Sequence, residues 1–267
     1  SWTPDGSKLV YNKTPGGRWD ILTYDLDTKK ERRLTVGVRG RDPAVSPDGK
    51  EIAFVNNRDG ANSLALVNMD GTNIRFLTHH NDGTQYYAPQ WSPDGKKLLF
   101  SVFRKNDRDI AIINADAATL RAKANMKKFR ASSGKKKKVK RAKPDSAKVA
   151  SDSTEAVSDS IRIAQRQKAL ADSLEDFPDS LAFANNANFE ALLRSGADER
   201  DPVWLPDGSG IVFSSDRTGI FNLYTYDLTT GRQEQITNVV GGAFAPSVSP
   251  DGNDILYAGY HNADYSL

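Results

Sequence analysis

Residues 91–100 read Trp-Ser-Pro-Asp-Gly-Lys-Lys-Leu-Leu-Phe, and this ten-residue phrase recurs along the chain. In every copy a Pro-Asp-Gly triplet follows a tryptophan or valine and precedes an apolar run. The first residues of the phrase are tryptophan at Trp2, Trp91 and Trp204. The five triplets are Pro4-Asp5-Gly6, Pro47-Asp48-Gly49, Pro93-Asp94-Gly95, Pro206-Asp207-Gly208 and Pro250-Asp251-Gly252. Five copies of one phrase indicate a repeat protein.

The triplet predicts a tight turn between two strands. Proline presets φ at the second turn position, aspartate can bond its own backbone, and glycine frees the exit. The apolar residues on both sides predict a hairpin. From Asp5 to Asp48 there are 43 residues, from Asp48 to Asp94 46, and from Asp207 to Asp251 44. Such periods are typical of propeller blades. We predict an all-β propeller with four-stranded antiparallel blades, about four to five of them in this chain, in an incomplete ring.

The third period contains a long insertion. We predict propeller blades over residues 1–116 and 189–267, and an inserted low-complexity segment over 117–188. Residues 121–143 contain twelve Lys or Arg and no acid, a composition typical of disorder. Leu170, Leu174, Phe177 and Leu181 share one helical face, so the later half of the insertion favours a helix that Pro178 should break or restart.

Two further expectations concern the strands. The last strand of the third blade is predicted after the insertion, at residues 189–193. Aspartates end the second apolar strand of several blades, and we expect them to cap the turn that follows. These aspartates are Asp25, Asp70, Asp116 and Asp227.

Composition excludes several classes of function. The chain has 267 residues and no cysteine, which excludes disulfides and thiolate metal sites. No apolar run approaches the roughly 18 residues that span a bilayer. The chain starts at Ser1, inside a repeat, so we expect a fragment of a longer protein.

Few side chains are candidates for a functional site. The sequence has no Gly-x-Ser-x-Gly elbow and no His-Glu-x-x-His zinc motif, so we predict no catalytic residue, no metal and no cofactor. His79 and His80 follow a predicted strand end and are either partner-binding rim residues or exposed loop histidines. Trp19 lies off the repeat and is a candidate anchor for a partner. The regular position of Trp2, Trp91 and Trp204 favours packing between blades.

The basic tract could contact an anionic surface. Counterion release by residues 121–143 would allow nucleic-acid or membrane binding, but Phe129 is the only aromatic residue there, so a solvated tether is favoured. Without this tract the chain has a formal charge of −9. We therefore expect a protein or peptide partner, no nucleic acid, and at most indirect membrane contact.

The repeat resembles that of TolB-type β-propellers. The resemblance rests on the Pro-Asp-Gly phrase, on the Asp-Arg-x-Gly turn at Asp216–Gly219 and on Leu-Thr at strand ends, over about 195 residues. It implies a non-catalytic interaction domain of a bacterial periplasmic or envelope protein. The same repeat occurs in accessory propellers of prolyl-oligopeptidase-like, tricorn-like and metallopeptidase-linked proteins, which leaves open a gating or docking domain whose active site lies outside this chain. The insertion departs from the TolB pattern, and Leu205 replaces the usual serine of the turn.

Overall fold

The protein is an all-β propeller, as predicted. A computed structural model describes residues 1–14, 19–58, 61–78, 83–104, 107–115, 189–261 and 264–267. These residues form eighteen strands in five antiparallel sheets, three with four strands and two with three. Within the described residues there is no helix long and apolar enough to cross a membrane.

Each sheet is one blade, and strands that are neighbours in a blade are consecutive in the chain. Blade 1 contains β1 (Lys8–Lys13), β2 (Asp20–Asp25) and β3 (Glu31–Arg33). Blade 2 contains β4 (Gly40–Val45), β5 (Glu51–Arg58), β6 (Ala61–Asn68) and β7 (Arg75–Phe76). Blade 3 contains β8 (Gln85–Trp91), β9 (Lys97–Arg104), β10 (Asp107–Asn114) and β11 (Glu190–Leu193). Blade 4 contains β12 (Glu199–Trp204), β13 (Gly210–Ser215), β14 (Asn222–Asp227) and β15 (Gln233–Gln235), and blade 5 contains β16 (Ala243–Val248), β17 (Ile255–His261) and β18 (Asp264–Ser266).

The delayed strand of blade 3 lies where the sequence placed it. β11 pairs with β10, with Leu193 opposite Ile110. The predicted insertion and its helix lie outside the described residues, so the division of the chain at 117 and 188 stays a prediction.

The first strands of the blades lie nearest the common axis. β4 contacts β8, β8 contacts β12, and β12 contacts β16, so these strands follow one another around the propeller. Among the described residues of blade 1, the bridge between Trp2 and Leu9 takes the place of this strand.

The core lies between successive blades. Four apolar clusters join blades 1 and 2, 2 and 3, 3 and 4, and 4 and 5. Equivalent positions facing the next blade are fully or almost fully buried at Val10, Ala53, Leu99 and Val212, whereas Leu256 of blade 5 is 56% exposed. Among the described residues, no apolar cluster joins blades 5 and 1, so each of these blades has one uncovered face.

The Pro-Asp-Gly corners have the predicted turn chemistry. Asp48 Oδ1 accepts hydrogen bonds from Ser46 Oγ at 2.7 Å and from the Lys50 N–H at 3.1 Å, and Gly49 has φ of 70°. At the corner with Leu205, Asp207 Oδ1 accepts from the N–H and hydroxyl of Ser209 at 2.9 and 2.7 Å. Ser209 therefore supplies the hydroxyl that Leu205 lacks.

The corners of successive blades stack on one another. A Cβ added at Gly49 would lie 3.4 Å from Cδ of Pro4, and corresponding distances for the next three blades are 3.8 to 3.9 Å. At Gly6 a Cβ would meet nothing within 4 Å. The proline of one corner thus packs over the glycine of the next, and the series begins at blade 1.

The strand-ending aspartates cap their turns, as expected. Asp25 Oδ1 accepts from the Thr28 N–H at 2.8 Å. The same bond forms from Thr72 to Asp70 at 2.8 Å and from Thr230 to Asp227 at 2.7 Å. Asp116 lies outside the described residues.

The prediction that all three repeated tryptophans pack between blades is wrong for one of them. Trp91 Nε1 donates to the Ala44 carbonyl of blade 2 at 3.0 Å, and Trp204 Nε1 donates to the Gln90 carbonyl of blade 3 at 3.4 Å. Trp2 is 57% exposed, because no blade of the described structure packs on that side of blade 1.

Candidate functional site

The residues singled out from the sequence do not form one site. Trp19 immediately precedes β2 and is 49% exposed. His79 and His80 lie outside the described residues. The features that the structure does bring together lie on the strands nearest the axis, three residues and about 10 Å before each strand end.

Four axial strands share a strained bulge. In β4, β8, β12 and β16 the pairing shifts register at the same place, between the fourth residue and the first residue before the strand end. A non-glycine residue with positive φ stands there, directly before a proline. These residues are Asp42 (φ 52°), Ala88 (φ 46°), Asp201 (φ 53°) and Ala245 (φ 47°). Side chains disfavour this conformation, and it concentrates at functional sites. We call these four residues, with the residue before each, the bulge ring.

The bulge ring alternates between two chemistries. Blades 2 and 4 have Arg-Asp-Pro, whereas blades 3 and 5 have Tyr-Ala-Pro and Phe-Ala-Pro. Asp42 Oδ2 accepts a hydrogen bond from the Ala88 N–H at 3.4 Å, and Asp201 Oδ2 accepts one from the Ala245 N–H at 3.3 Å. The aspartates thus connect blade 2 to blade 3 and blade 4 to blade 5. Blade 3 has Ala88 in place of the aspartate, so no such side-chain hydrogen bond connects blade 3 to blade 4.

Arginines stack on aromatic rings around the bulge ring. The guanidinium of Arg41 lies 4.8 Å from the centre of the Tyr87 ring, and that of Arg108 lies 4.7 Å from the same ring. Arg200 lies 4.3 Å from the ring centre of Phe221. Both Arg108, at 3.7 Å, and Arg200 form ion pairs with Asp198. These guanidinium groups are half-buried and fixed in orientation, which suits them to recognition.

A buried glutamate lies beside the bulge ring, between blades 3 and 4. Glu199 is fully buried at a core position that the other blades fill with Gly40, Tyr86 and Ala243. Its Oε1 accepts from Arg217 Nη2 at 2.6 Å and from a serine hydroxyl at 2.7 Å. Its Oε2 has no partner among the described residues. Burial raises the pKa of Glu199, and the nearby Asp109 carboxylate raises it further, while hydrogen bonds and Arg217 oppose the shift.

Asp109 departs from its equivalents in the other blades. In blade 1, Asp20 Oδ1 accepts from the Thr35 hydroxyl at 3.1 Å and from a backbone N–H of the following loop. In blade 4, Asn222 Oδ1 accepts the corresponding hydrogen bond from the Thr237 hydroxyl at 3.1 Å. Blade 3 has arginine in place of that threonine. Asp109 Oδ1 is consequently left without a partner among the described residues, and burial raises the pKa of this carboxyl group.

Within the described residues no group of three or more His, Asp or Glu side chains is placed to hold a metal ion. The bulge ring has one signal in the sequence: the dipeptides Asp42-Pro43, Ala88-Pro89, Asp201-Pro202 and Ala245-Pro246 stand at one fixed distance before the corners of blades 2 to 5.

Comparisons with known proteins agree with the fold. Residues 18–262 match a family model described as "Tricorn protease N-terminal beta propeller domain". An uncharacterized protein of Agrobacterium fabrum is 35% identical over 89 residues, which are 33% of this chain and 30% of that protein. The Tol-Pal system protein TolB of Francisella tularensis is 44% identical over 57 residues, which are 21% of this chain and 13% of that protein.

A solved structure shows the same architecture. The putative TolB from Agrobacterium tumefaciens superposes with a TM-score of 0.65 at 19% identity, covering 99% of this chain and 69% of that chain. The matches to the two curated relatives span less than a third of either protein's length. The resemblance to TolB-type propellers is confirmed, and the matched residues 18–262 cover most of the chain. The chain therefore belongs to the family of the tricorn protease N-terminal β-propeller domain.

Proposed function

We propose that this propeller is a non-catalytic interaction domain that binds a protein or peptide segment in the bacterial envelope or periplasm. Local identity to TolB of the Tol-Pal system supports an envelope setting. Partner surfaces of a rigid repeat scaffold lie at its rims and loops. Trp19, His79 and His80 remain proposed partner-binding residues, and contact of residues 121–143 with an anionic surface remains a hypothesis.

The observation that carries the proposal is the bulge ring. Four axial strands hold a non-glycine residue at positive φ before a proline. A scaffold that needed only packing could have used ordinary extended residues or glycine at those places. Strain that recurs at one level of the axis supports a role in recognition at this end of the propeller.

The chemistry around the ring favours a polypeptide ligand. Bulges leave backbone groups outside the ladder, and these can bond the backbone of an extended segment. Half-buried rings and guanidinium groups supply side-chain contacts. Arg41 is paired with Asp42, and Arg108 and Arg200 with Asp198, so the ring is not the unpaired basic surface that nucleic acid requires.

A displayed peptide library selected on the purified chain tests this proposal. The double variant Arg108→Ala with Arg200→Ala removes one guanidinium of the bulge ring and one that stacks on its Tyr87, and Lys50→Ala with Lys96→Ala is the matched control at the corners. Lys50 and Lys96 each pair with the aspartate of their own corner, at 3.2 and 3.6 Å. Selected peptides should bind the ring variant about tenfold more weakly and the control unchanged. Equal binding to both variants, each shown to be folded, would contradict this location.

A second candidate function is an accessory propeller of a multidomain peptidase. The family description, which names the tricorn protease, favours it. In that case the longer protein should cleave fluorogenic peptides, and deleting the propeller should change peptide-length selectivity while cleavage persists. Cleavage by residues 1–267 alone, abolished by one substitution in this chain, would contradict a non-catalytic domain in both settings.

A further inference from the structure

Arg108, beside the bulge ring, makes no hydrogen bond within the part of the chain that the structure describes. The two arginines of the ring differ from it. Arg41 donates to Asp42 and to a backbone carbonyl of blade 3 at 2.8 Å. Arg200 donates to Asp198 from Nε at 3.1 Å and also from Nη2. Arg108 Nε lies 3.7 Å from the same Asp198 carboxylate, which is too far for a hydrogen bond.

The carboxylates of this region are already engaged. Asp198 is held by two hydrogen bonds from Arg200, which is the strong bidentate form of this contact. Asp42 and Asp201, the two carboxylates of the ring, accept hydrogen bonds from backbone N–H groups of the next blades. Among the described residues, Arg108 is therefore left without a carboxylate that is hydrogen-bonded to it.

The guanidinium of Arg108 presents its outer edge to solvent. Its Nε is buried and has no hydrogen-bond partner. The side chain is 23% exposed, and its two Nη atoms are neither bonded to a described residue nor fully buried. The ring of Tyr87, with its centre 4.7 Å from the guanidinium, holds the group in place. Four N–H groups held in one plane can bind a carboxylate through two parallel hydrogen bonds.

Blade 4 shows which residue packing alone requires at this position. Phe221 is the blade 4 equivalent of Arg108. The Phe221 ring lies 4.3 Å from the guanidinium of Arg200, and its centre is 4.9 Å from that of the Phe244 ring. An aromatic residue thus completes the stack without an arginine. Because the buried, unbonded Nε of Arg108 reduces stability, packing does not account for the arginine of blade 3.

We propose that Arg108, stacked on Tyr87, binds a carboxylate group of the polypeptide that the bulge ring recognises. This inference rests on the proposed function and adds the chemical group that the site selects. The carboxylate comes from an aspartate or glutamate side chain of the partner or from its free C-terminus, since both offer the same two oxygen atoms. A neutral amide in that place accepts weaker hydrogen bonds, because it carries no charge.

Three short peptides added to the purified chain test the proposal. The first is acetyl-alanyl-glutamyl-alanine amide, the second has glutamine in place of glutamate, and the third has glutamine and a free C-terminal carboxylate. NMR follows the Nε–H signal of Arg108, whose burial slows its exchange with water and which Arg108→Phe identifies by its loss. A carboxylate peptide should bind about tenfold more tightly than the neutral one, as expected for charge-assisted hydrogen bonds. The tighter of the two carboxylate peptides identifies the source.

Arg108→Phe is the decisive variant, because Phe221 shows that the equivalent position accommodates a phenylalanine ring. The variant should keep its melting temperature and lose the tenfold preference, followed at the backbone amide signal of Ala88. Lys96→Gln, which removes a positive charge at the corner of the same blade, should change neither.

Two results would overturn the proposal. One is equal binding, or no binding, of all three peptides by the natural chain, and the other is a preference that persists in Arg108→Phe. The proposed function is tested separately by the selected library peptides. If these lose affinity for the double variant and not for Arg108→Phe, the carboxylate site is wrong and the proposed function stands.

Discussion

A paired substitution tests whether stability comes from the seams between blades. Leu99 and Leu256 each lie six residues after the proline of their own corner and face the following blade position. Leu99 is fully buried in the cluster that joins blades 3 and 4, whereas Leu256 is 56% exposed. Replacing each by alanine removes the same atoms from two different environments.

The expected costs differ severalfold. Leu99→Ala should reduce the free energy of unfolding by about 3 kcal/mol, since it removes buried apolar surface and leaves a cavity. A change of about 3 kcal/mol corresponds to about 6–12 °C in melting temperature for a domain of this size. Leu256→Ala loses less than half of that burial and leaves no enclosed cavity, so we expect about 1 kcal/mol or less.

Urea and thermal unfolding, followed by circular dichroism, measure both variants. In a repeat protein a weakened interface also destabilises the neighbouring repeats, so the Leu99 variant should unfold first both in urea and on heating. Equal losses for Leu99→Ala and Leu256→Ala would refute the reasoning, because they would show that the exposed face of blade 5 is covered in solution.

Three further predictions concern polar and backbone features. Thr35→Val should cost about 2 kcal/mol in urea unfolding, because Asp20 loses a buried donor and a buried backbone N–H loses its acceptor. The pKa of Glu199 is raised in the folded state, so the stabilisation that comes from its protonation is lost as pH rises through the folded-state pKa. The free energy of unfolding of Glu199→Gln, relative to that of the natural chain, should therefore rise with pH above about 4.5. Urea unfolding across pH 4–8 measures this difference. Gly71→Ala should lower the melting temperature more than Gly6→Ala, since a Cβ at position 71 collides with a backbone oxygen of blade 1 and one at position 6 meets nothing within 4 Å.

The sequence was sufficient for the blades because their signals are local. A Pro-Asp-Gly corner such as Pro47–Gly49 specifies its turn within three residues, and the apolar run after it specifies a strand. Even the displaced strand β11 was recognisable after the insertion. Trp2 was misjudged because its burial depends on a neighbouring blade, which no pattern inside blade 1 reports.

The bulge ring could not be predicted in the same way. A pre-proline residue prefers an extended conformation, so local propensity argues against positive φ at Asp42 and Asp201. Their conformation is imposed by pairing in the sheet and by bonds to the next blade, at Ala88 and Ala245. The burial of Glu199 could not be predicted from the sequence either, because it depends on the packing of two blades against each other.

Function in a repeat scaffold is best sought where equivalent positions differ. The corners are nearly identical and account for stacking, so they do not distinguish one blade from another. Between blades 3 and 4, by contrast, glutamate stands at a core position filled elsewhere by Gly40, Tyr86 and Ala243, and Asp109 has lost its threonine partner. Two buried carboxylate groups, each with one oxygen that lacks a hydrogen bond, reduce the stability of the fold. Packing does not account for their position beside the bulge ring, whereas the proposed recognition at this end of the propeller would account for it.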